Sequence, residues 1–214
     1  MPASREPRRD LGFIHVFEPG SADRTLLLLH GTGGNERDLI PLGRELDPSA
    51  SLLSPRGKVL ENGMPRFFRR LAMGVFDVED LVARTHELAG FVSSGSQAYG
   101  LDPERIVGVG YSNGANIAAS LLLLHPGVLQ GAVLLHAMVP FRPETLPDLS
   151  GTAVLLTAGR LDPMVSTEQS EELANLLSDA GAEVSFHWEQ GGHELGALEV
   201  STARTWLAAF GDRG

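Results

Sequence analysis

Ile106-Val107-Gly108-Val109-Gly110-Tyr111-Ser112-Asn113-Gly114-Ala115-Asn116-Ile117 is the stretch that decides how the chain folds. Its first four residues are a short apolar run of the kind that forms a buried strand, and residues 113–124 are rich in small and apolar helix formers. Between them lies Gly110-Tyr111-Ser112-Asn113-Gly114, a G-x-S-x-G pattern. Alone, such a pattern is a weak signal. Between a strand and a helix it predicts a nucleophile elbow, a turn so tight that glycine must flank it and the serine hydroxyl is pushed out above the sheet. The helix start below the serine offers free N–H groups and a positive dipole end to developing negative charge.

Outward from the elbow, short β-rich runs alternate with longer helical patterns, which predicts an α/β domain with a mostly parallel central sheet and helices on both faces. Strands are expected over residues 13–17, 25–30, 51–54, 105–111, 129–135, 153–158 and 183–189. Helices are expected over about 36–46, 78–97, 113–124, 166–180 and 195–210. Residues 56–76 read as irregular, apart from a tight-turn pair at Asn62-Gly63 and an aromatic pair at Phe67-Phe68. Only Pro-containing residues 136–150 separate two successive strands, which leaves no room for a lid domain and predicts an open site. No repeat or linker interrupts the pattern, so residues 11–214 read as a single domain and residues 1–10 as a disordered tail.

A serine needs a base to take its proton, and on this kind of sheet the chain order is serine, then acid, then histidine. Asp162, in Gly159-Arg160-Leu161-Asp162-Pro163, follows the strand at 153–158. His193, in Gly191-Gly192-His193-Glu194, follows the last strand. Both therefore fall on the sheet edge that carries Ser112, where the active sites of open α/β sheets gather. The rivals are worse placed. His30 precedes the serine and reads as a brace for the next turn, His136 comes before any acid, His187 lies within a strand, and Asp148 precedes the strand that Asp162 follows.

The turn His30-Gly31-Thr32-Gly33-Gly34 follows the second strand, where the other oxyanion donor of such a site is expected. Its contribution would be the backbone N–H of Thr32, paired with that of Asn113. A phosphate-binding reading fails: G-x-G-x-x-G counted from Gly31 meets Glu36, and counted from Gly108 meets Asn113. A metal alternative on His187, Glu189, His193 and Glu194 lacks an HExxH helix, so neither metal nor cofactor is expected. Phe67, Phe68, Met138 and Met164 are candidate walls for the substrate pocket.

The bulk numbers agree. The 214 residues are 43% hydrophobic and 21% charged, with a net charge of −10, which argues against nucleic acid as a partner. There is no cysteine, so neither a disulfide nor a thiolate nucleophile is possible. No apolar run is long enough to enter a membrane as a span, and residues 1–10 lack the apolar stretch of a signal peptide, so a cytoplasmic protein is expected. The oligomeric state is left open, a homodimer included.

Taken together, Leu29-His30-Gly31-Thr32-Gly33-Gly34-Asn35, the Gly110 to Gly114 elbow, Gly159 to Asp162 and Gly192-His193 resemble the phospholipase/carboxylesterase family. That family comprises compact α/β-hydrolases, among them acyl-protein thioesterases and bacterial carboxylesterases. Arg66-Phe67-Phe68-Arg69-Arg70 followed by Gly74-Val75-Phe76-Asp77 is most similar to the bacterial carboxylesterase branch. The resemblance covers the chain from about residue 11. It implies the α/β-hydrolase fold, a serine triad without metal or cofactor, and a small-molecule ester as substrate. Asn113 stands where thioesterase members usually carry glutamine, which points away from an acyl-protein substrate.

Overall fold

The computed structural model describes residues 11–211; the tail expected over 1–10 lies outside the described residues. In chain order the elements are β1 (His15–Glu18), β2 (Thr25–Leu29), α1 (Ile40–Leu46) and β3 (Ser51–Pro55). Four short strands follow: β4 (Val59–Glu61), β5 (Met64–Arg66), β6 (Arg70–Ala72) and β7 (Val75–Phe76). Then come α2 (Val78–Tyr99), β8 (Ile106–Tyr111), α3 (Asn113–Leu124), β9 (Gly131–Leu135) and β10 (Ala153–Gly159). The chain closes with α4 (Thr167–Asp179), β11 (Glu183–Glu189) and α5 (Ala197–Gly211).

Seven strands form one sheet in the order β1-β3-β2-β8-β9-β10-β11. β1 runs antiparallel to β3 at one edge, and the other neighbours are parallel. Both faces are covered, as parallel sheets require. Successive leucines of β2 show it: Leu27 and Leu29 enter the core under α2, α3 and α4, while Leu26 and Leu28 enter the core under α1 and α5. All four are fully buried, and each such side chain stabilises the fold by about 1.5–3 kcal/mol relative to exposure. This is the α/β-hydrolase fold. No helix among the described residues is long and apolar enough to cross a membrane.

Two stretches differ from the sequence reading. The helix expected from Glu36 starts at Ile40, because Asn35 and Asp38 close a turn through their own side chains. Asn35 Oδ1 also accepts the Arg37 N–H, so the backbone there has partners other than a helix. The irregular segment at 56–76 contains two antiparallel hairpins, β4–β5 and β6–β7. The first turns on Asn62 and Gly63, both at positive φ (51° and 81°), as a two-residue hairpin demands. Strands of two or three residues are too short to carry a readable period.

Candidate active site

Ser112 sits between β8 and α3 with φ 53° and ψ −114°, a conformation that costs a non-glycine residue about 1–3 kcal/mol. It is held there by bonds on both sides: its N–H donates to Leu135 O at 2.9 Å and its carbonyl accepts the Asn116 N–H at 3.0 Å. The two flanking glycines are steric necessities. A Cβ at Gly114 would overlap the carbonyl oxygen of Leu29, and one at Gly110 would collide with the Gly114 carbonyl. The strand, the elbow and the first turn of α3 are thus wedged against β2, and the Ser112 hydroxyl projects at the C-terminal edge of the sheet.

The loops after β10 and β11 meet at the same edge. Arg160 N–H donates to Glu189 O at 2.8 Å and Leu161 N–H to Gly191 O at 3.0 Å, tying the loops together. Tyr111 adds a third tie, its hydroxyl donating to the His193 carbonyl at 2.8 Å. Across this frame His193 Nδ1 lies 2.6 Å from Asp162 Oδ2, and His193 Nε2 lies 2.8 Å from Ser112 Oγ. A carboxylate only accepts, so Nδ1 carries the proton and Nε2 is left to accept from the serine hydroxyl. Asp162 Oδ1 takes the N–H groups of Met164 (2.8 Å) and Val165 (3.1 Å). Burial works against the Asp162 charge, but the His193 hydrogen bond and these two N–H groups outweigh it and hold its pKa below the ordinary carboxylate value.

Thr32 and Asn113 line the cleft beside Ser112. Neither backbone N–H takes part in a hydrogen bond among the described residues, which leaves both available to an oxyanion. The Thr32 turn is braced from behind. His30 Nδ1 donates to Gly31 O at 2.7 Å while its Nε2 accepts the Gly57 N–H at 3.0 Å. Burial lowers the His30 pKa, which suits this neutral, structural pairing. Arg66, itself buried, donates to Thr32 Oγ1 at 2.7 Å.

The hairpin segment shapes the rest of the cleft, contributing Arg66, Arg70, Met73 and Phe76 opposite Met138 and Met164. The free volume between these side chains is about 30 Å³, so the cleft is tight although no lid domain covers it. Two of the four expected wall residues, Met138 and Met164, do line it. Phe67 and Phe68 do not. Both are buried in the core under α2 and α3, where Phe68 packs edge-on against Phe76. The Phe67 N–H donates to Asn113 Oδ1 at 2.8 Å, which ties this backbone to the elbow and turns the rings inward. A larger groove of about 450 Å³ between β11 and α5, lined by His187 and Trp206 among others, contains none of Ser112, Asp162 or His193.

Sequence reasoning missed two residues. His136, at the end of β9, is fully buried beside the site, with Nδ1 3.0 Å from Asp162 Oδ2 and Nε2 3.3 Å from Glu199 Oε2. Glu199, on α5, is also fully buried and accepts from the Thr157 hydroxyl and from the Gly196 N–H at 3.3 Å. Chain order set His136 aside. Glu199 left a signal: it occupies the i position of the buried stripe Glu199–Ala203–Leu207, where an apolar residue belongs.

The four residues of the metal alternative are not assembled into one group among the described residues. His187 pairs with Glu189 at 3.2 Å on β11, while His193 is turned to Asp162. The described group that could offer three ligand atoms is His136, Asp162 and His193. At 2.6 Å, however, His193 Nδ1 and Asp162 Oδ2 are closer than two ligands of one ion with bonds of about 2 Å in tetrahedral array. That spacing fits a proton between them.

Residues 15–210 match the family described as Phospholipase/Carboxylesterase. The chain belongs to the phospholipase/carboxylesterase family. MhqD of Bacillus subtilis (strain 168) is 54% identical over 192 residues, spanning 90% of this chain and 96% of that protein. Among solved structures, a Bacillus cereus carboxylesterase is 53% identical with a TM-score of 0.90, covering 92% of this chain and 94% of its own. A carboxylesterase from Mesorhizobium loti is 34% identical with a TM-score of 0.83, covering 88% and 90% respectively. Within this phospholipase/carboxylesterase protein, Arg66, Arg70, Met73, Gly74 and Phe76 supply one wall of the cleft.

Proposed function

We propose that the chain is a serine carboxylesterase that cleaves small carboxylic esters through an acyl-enzyme. The observation that carries this reading is the continuous line Ser112 Oγ, His193 Nε2, His193 Nδ1, Asp162 Oδ2, with gaps of 2.8 and 2.6 Å. In the first step His193 takes the Ser112 proton as Oγ attacks the ester carbonyl, and the resulting oxyanion accepts from the Thr32 and Asn113 N–H groups. His193 then returns the proton to the leaving alcohol. Water repeats the sequence on the acyl-enzyme and releases the acid. Asp162 keeps the imidazole in the right tautomer and balances its charge while it is cationic.

The narrow cleft favours small acyl groups. A longer chain has to displace the unbranched, flexible side chains of Met73, Met138 and Met164. The same constellation can attack a thioester, and matched oxyester and thioester pairs separate the two activities. The test is hydrolysis of p-nitrophenyl esters of graded acyl length by the wild-type protein and Ser112→Ala. The reading expects kcat/KM to be highest for short chains and to fall by roughly four to six orders of magnitude in the variant. A protein that binds these esters but turns over none above background would instead be a hydrolase-like binding protein.

A further inference from the structure

His136 and Glu199 form a buried pair, 3.3 Å apart, that the mechanism above does not use. Glu199 is a carboxylate in the core of the domain, on a helix stripe that is otherwise apolar. A carboxylate so placed is tolerated only when donors satisfy it. Three of its neighbours do so: the Thr157 hydroxyl from β10, the Gly196 N–H from its own turn, and His136 Nε2 from the end of β9. His136 in turn has Asp162 Oδ2 at 3.0 Å from its other nitrogen. Each ring nitrogen therefore faces a carboxylate oxygen. Ionised carboxylates only accept, so with Asp162 and Glu199 both ionised both nitrogens donate, and an imidazole with two N–H groups is a cation.

We propose that His136 is a resident imidazolium that sets the charge against which His193 works, a positioning residue acting through Asp162. The inference rests on the Ser112–His193–Asp162 reading for its effect on turnover. The groups facing His136 are Asp162 from the loop after β10, Glu199 from α5, the His193 ring at 5.1 Å from the loop after β11, and the Tyr111 ring at 6.0 Å from β8. With His136 charged and His193 neutral, the two carboxylates leave the cluster one negative charge in excess. Transfer of the Ser112 proton to His193 cancels that excess as the transition state forms. Were His136 neutral, the excess would be two, and proton transfer to His193 would leave one negative charge uncancelled. Burial disfavours the His136 charge, but the Glu199 and Asp162 partners prevail and hold its pKa above the ordinary histidine value.

Direct evidence comes from nitrogen-15 spectra of the histidine rings in the wild-type protein between pH 6 and 8.5, assigned by substituting the other histidines one at a time. The expected result is a His136 ring with two protonated nitrogens throughout. A pyridine-type nitrogen on His136 at pH 7 would overturn the proposal, whatever the activity. The effect on turnover is read from the acid limb of the kcat/KM profile. His136→Gln leaves Asp162 and Glu199 without the cation, so the limb should move to higher pH by about one unit. His136→Gln/Glu199→Gln removes a cation and an anion together, and should bring the limb back toward the wild-type position. An unshifted limb in an active His136→Gln enzyme, or a double variant no closer to wild type than the single one, contradicts the proposal. If the wild-type protein shows the imidazolium but takes no fluorophosphonate on Ser112, the triad reading fails and the charged pair stands.

Discussion

Asp162 Oδ2 lies within hydrogen-bond distance of two imidazoles, His193 at 2.6 Å and His136 at 3.0 Å, and its Oδ1 accepts two backbone N–H groups. An amide in its place keeps the shape but offers a donor where an acceptor is needed. Asp162→Asn should therefore lower kcat by roughly four orders of magnitude at neutral pH, as it does when a related triad is left with the wrong histidine tautomer. Asp148→Asn serves as the control, since Asp148 is exposed and its Oδ1 merely accepts the Ser150 N–H. Equal rates for the two variants would remove Asp162 from the mechanism. At this scale the sequence was informative wherever chain order and strand ends fix a position, as for Ser112, Asp162 and His193. It did not show that His136 and Glu199 meet, because their meeting depends on how α5 lies across the ends of β9 and β10. It misled at Phe67 and Phe68, where an aromatic pair in an irregular segment carries no mark of which side it faces.

The elbow and its neighbours set the tolerances of the fold. At Gly114 a methyl group would strike the backbone of β2, which cannot swing away as a side chain can. Gly114→Ala should destabilise the protein by about 1–3 kcal/mol, and activity should fall as Ser112 is displaced. Gly90, exposed within α2 with open space around its Cβ direction, is the opposite case. Gly90→Ala should stabilise the protein by about 0.5–1 kcal/mol, because alanine loses less backbone entropy in a helix. Denaturant midpoints of the two variants check both signs, and a stabilised Gly114→Ala would disprove the packing described for the elbow. The long helices were legible because their period runs for many residues, and the buried strands because they are continuous apolar runs. The hairpins from β4 to β7 were not, since a strand of two or three residues has no period and only the Asn62-Gly63 turn announces itself.

For the molecule as a whole, the buried carboxylates and His136 link stability to pH in opposite directions. Burial raises and hydrogen bonds lower the Asp162 and Glu199 pKa values, with the net shift downward. Their contribution is thus present above the ordinary carboxylate pKa and is lost as pH falls through the depressed one. His136 is shifted upward, so its contribution is complete below the ordinary histidine pKa and fades as pH rises through the raised one. Stability should peak between these limits, and Glu199→Gln should show a shallower acid-side decline than wild type in denaturant midpoints measured against pH. Identical slopes would mean that Glu199 does not titrate with unfolding. Exhaustive chelation should leave ester hydrolysis unchanged, because the spacing of His193 and Asp162 fits a shared proton; zinc-restorable loss would contradict this. The catalytic reading turns on whether Ser112 is the nucleophile. The most direct measurement is peptide mapping by mass spectrometry after reaction with a fluorophosphonate. One adduct is expected, on Ser112, absent from Ser112→Ala and strongly slowed in His193→Ala. An adduct on any other residue, or undiminished labelling of Ser112→Ala, would contradict that reading.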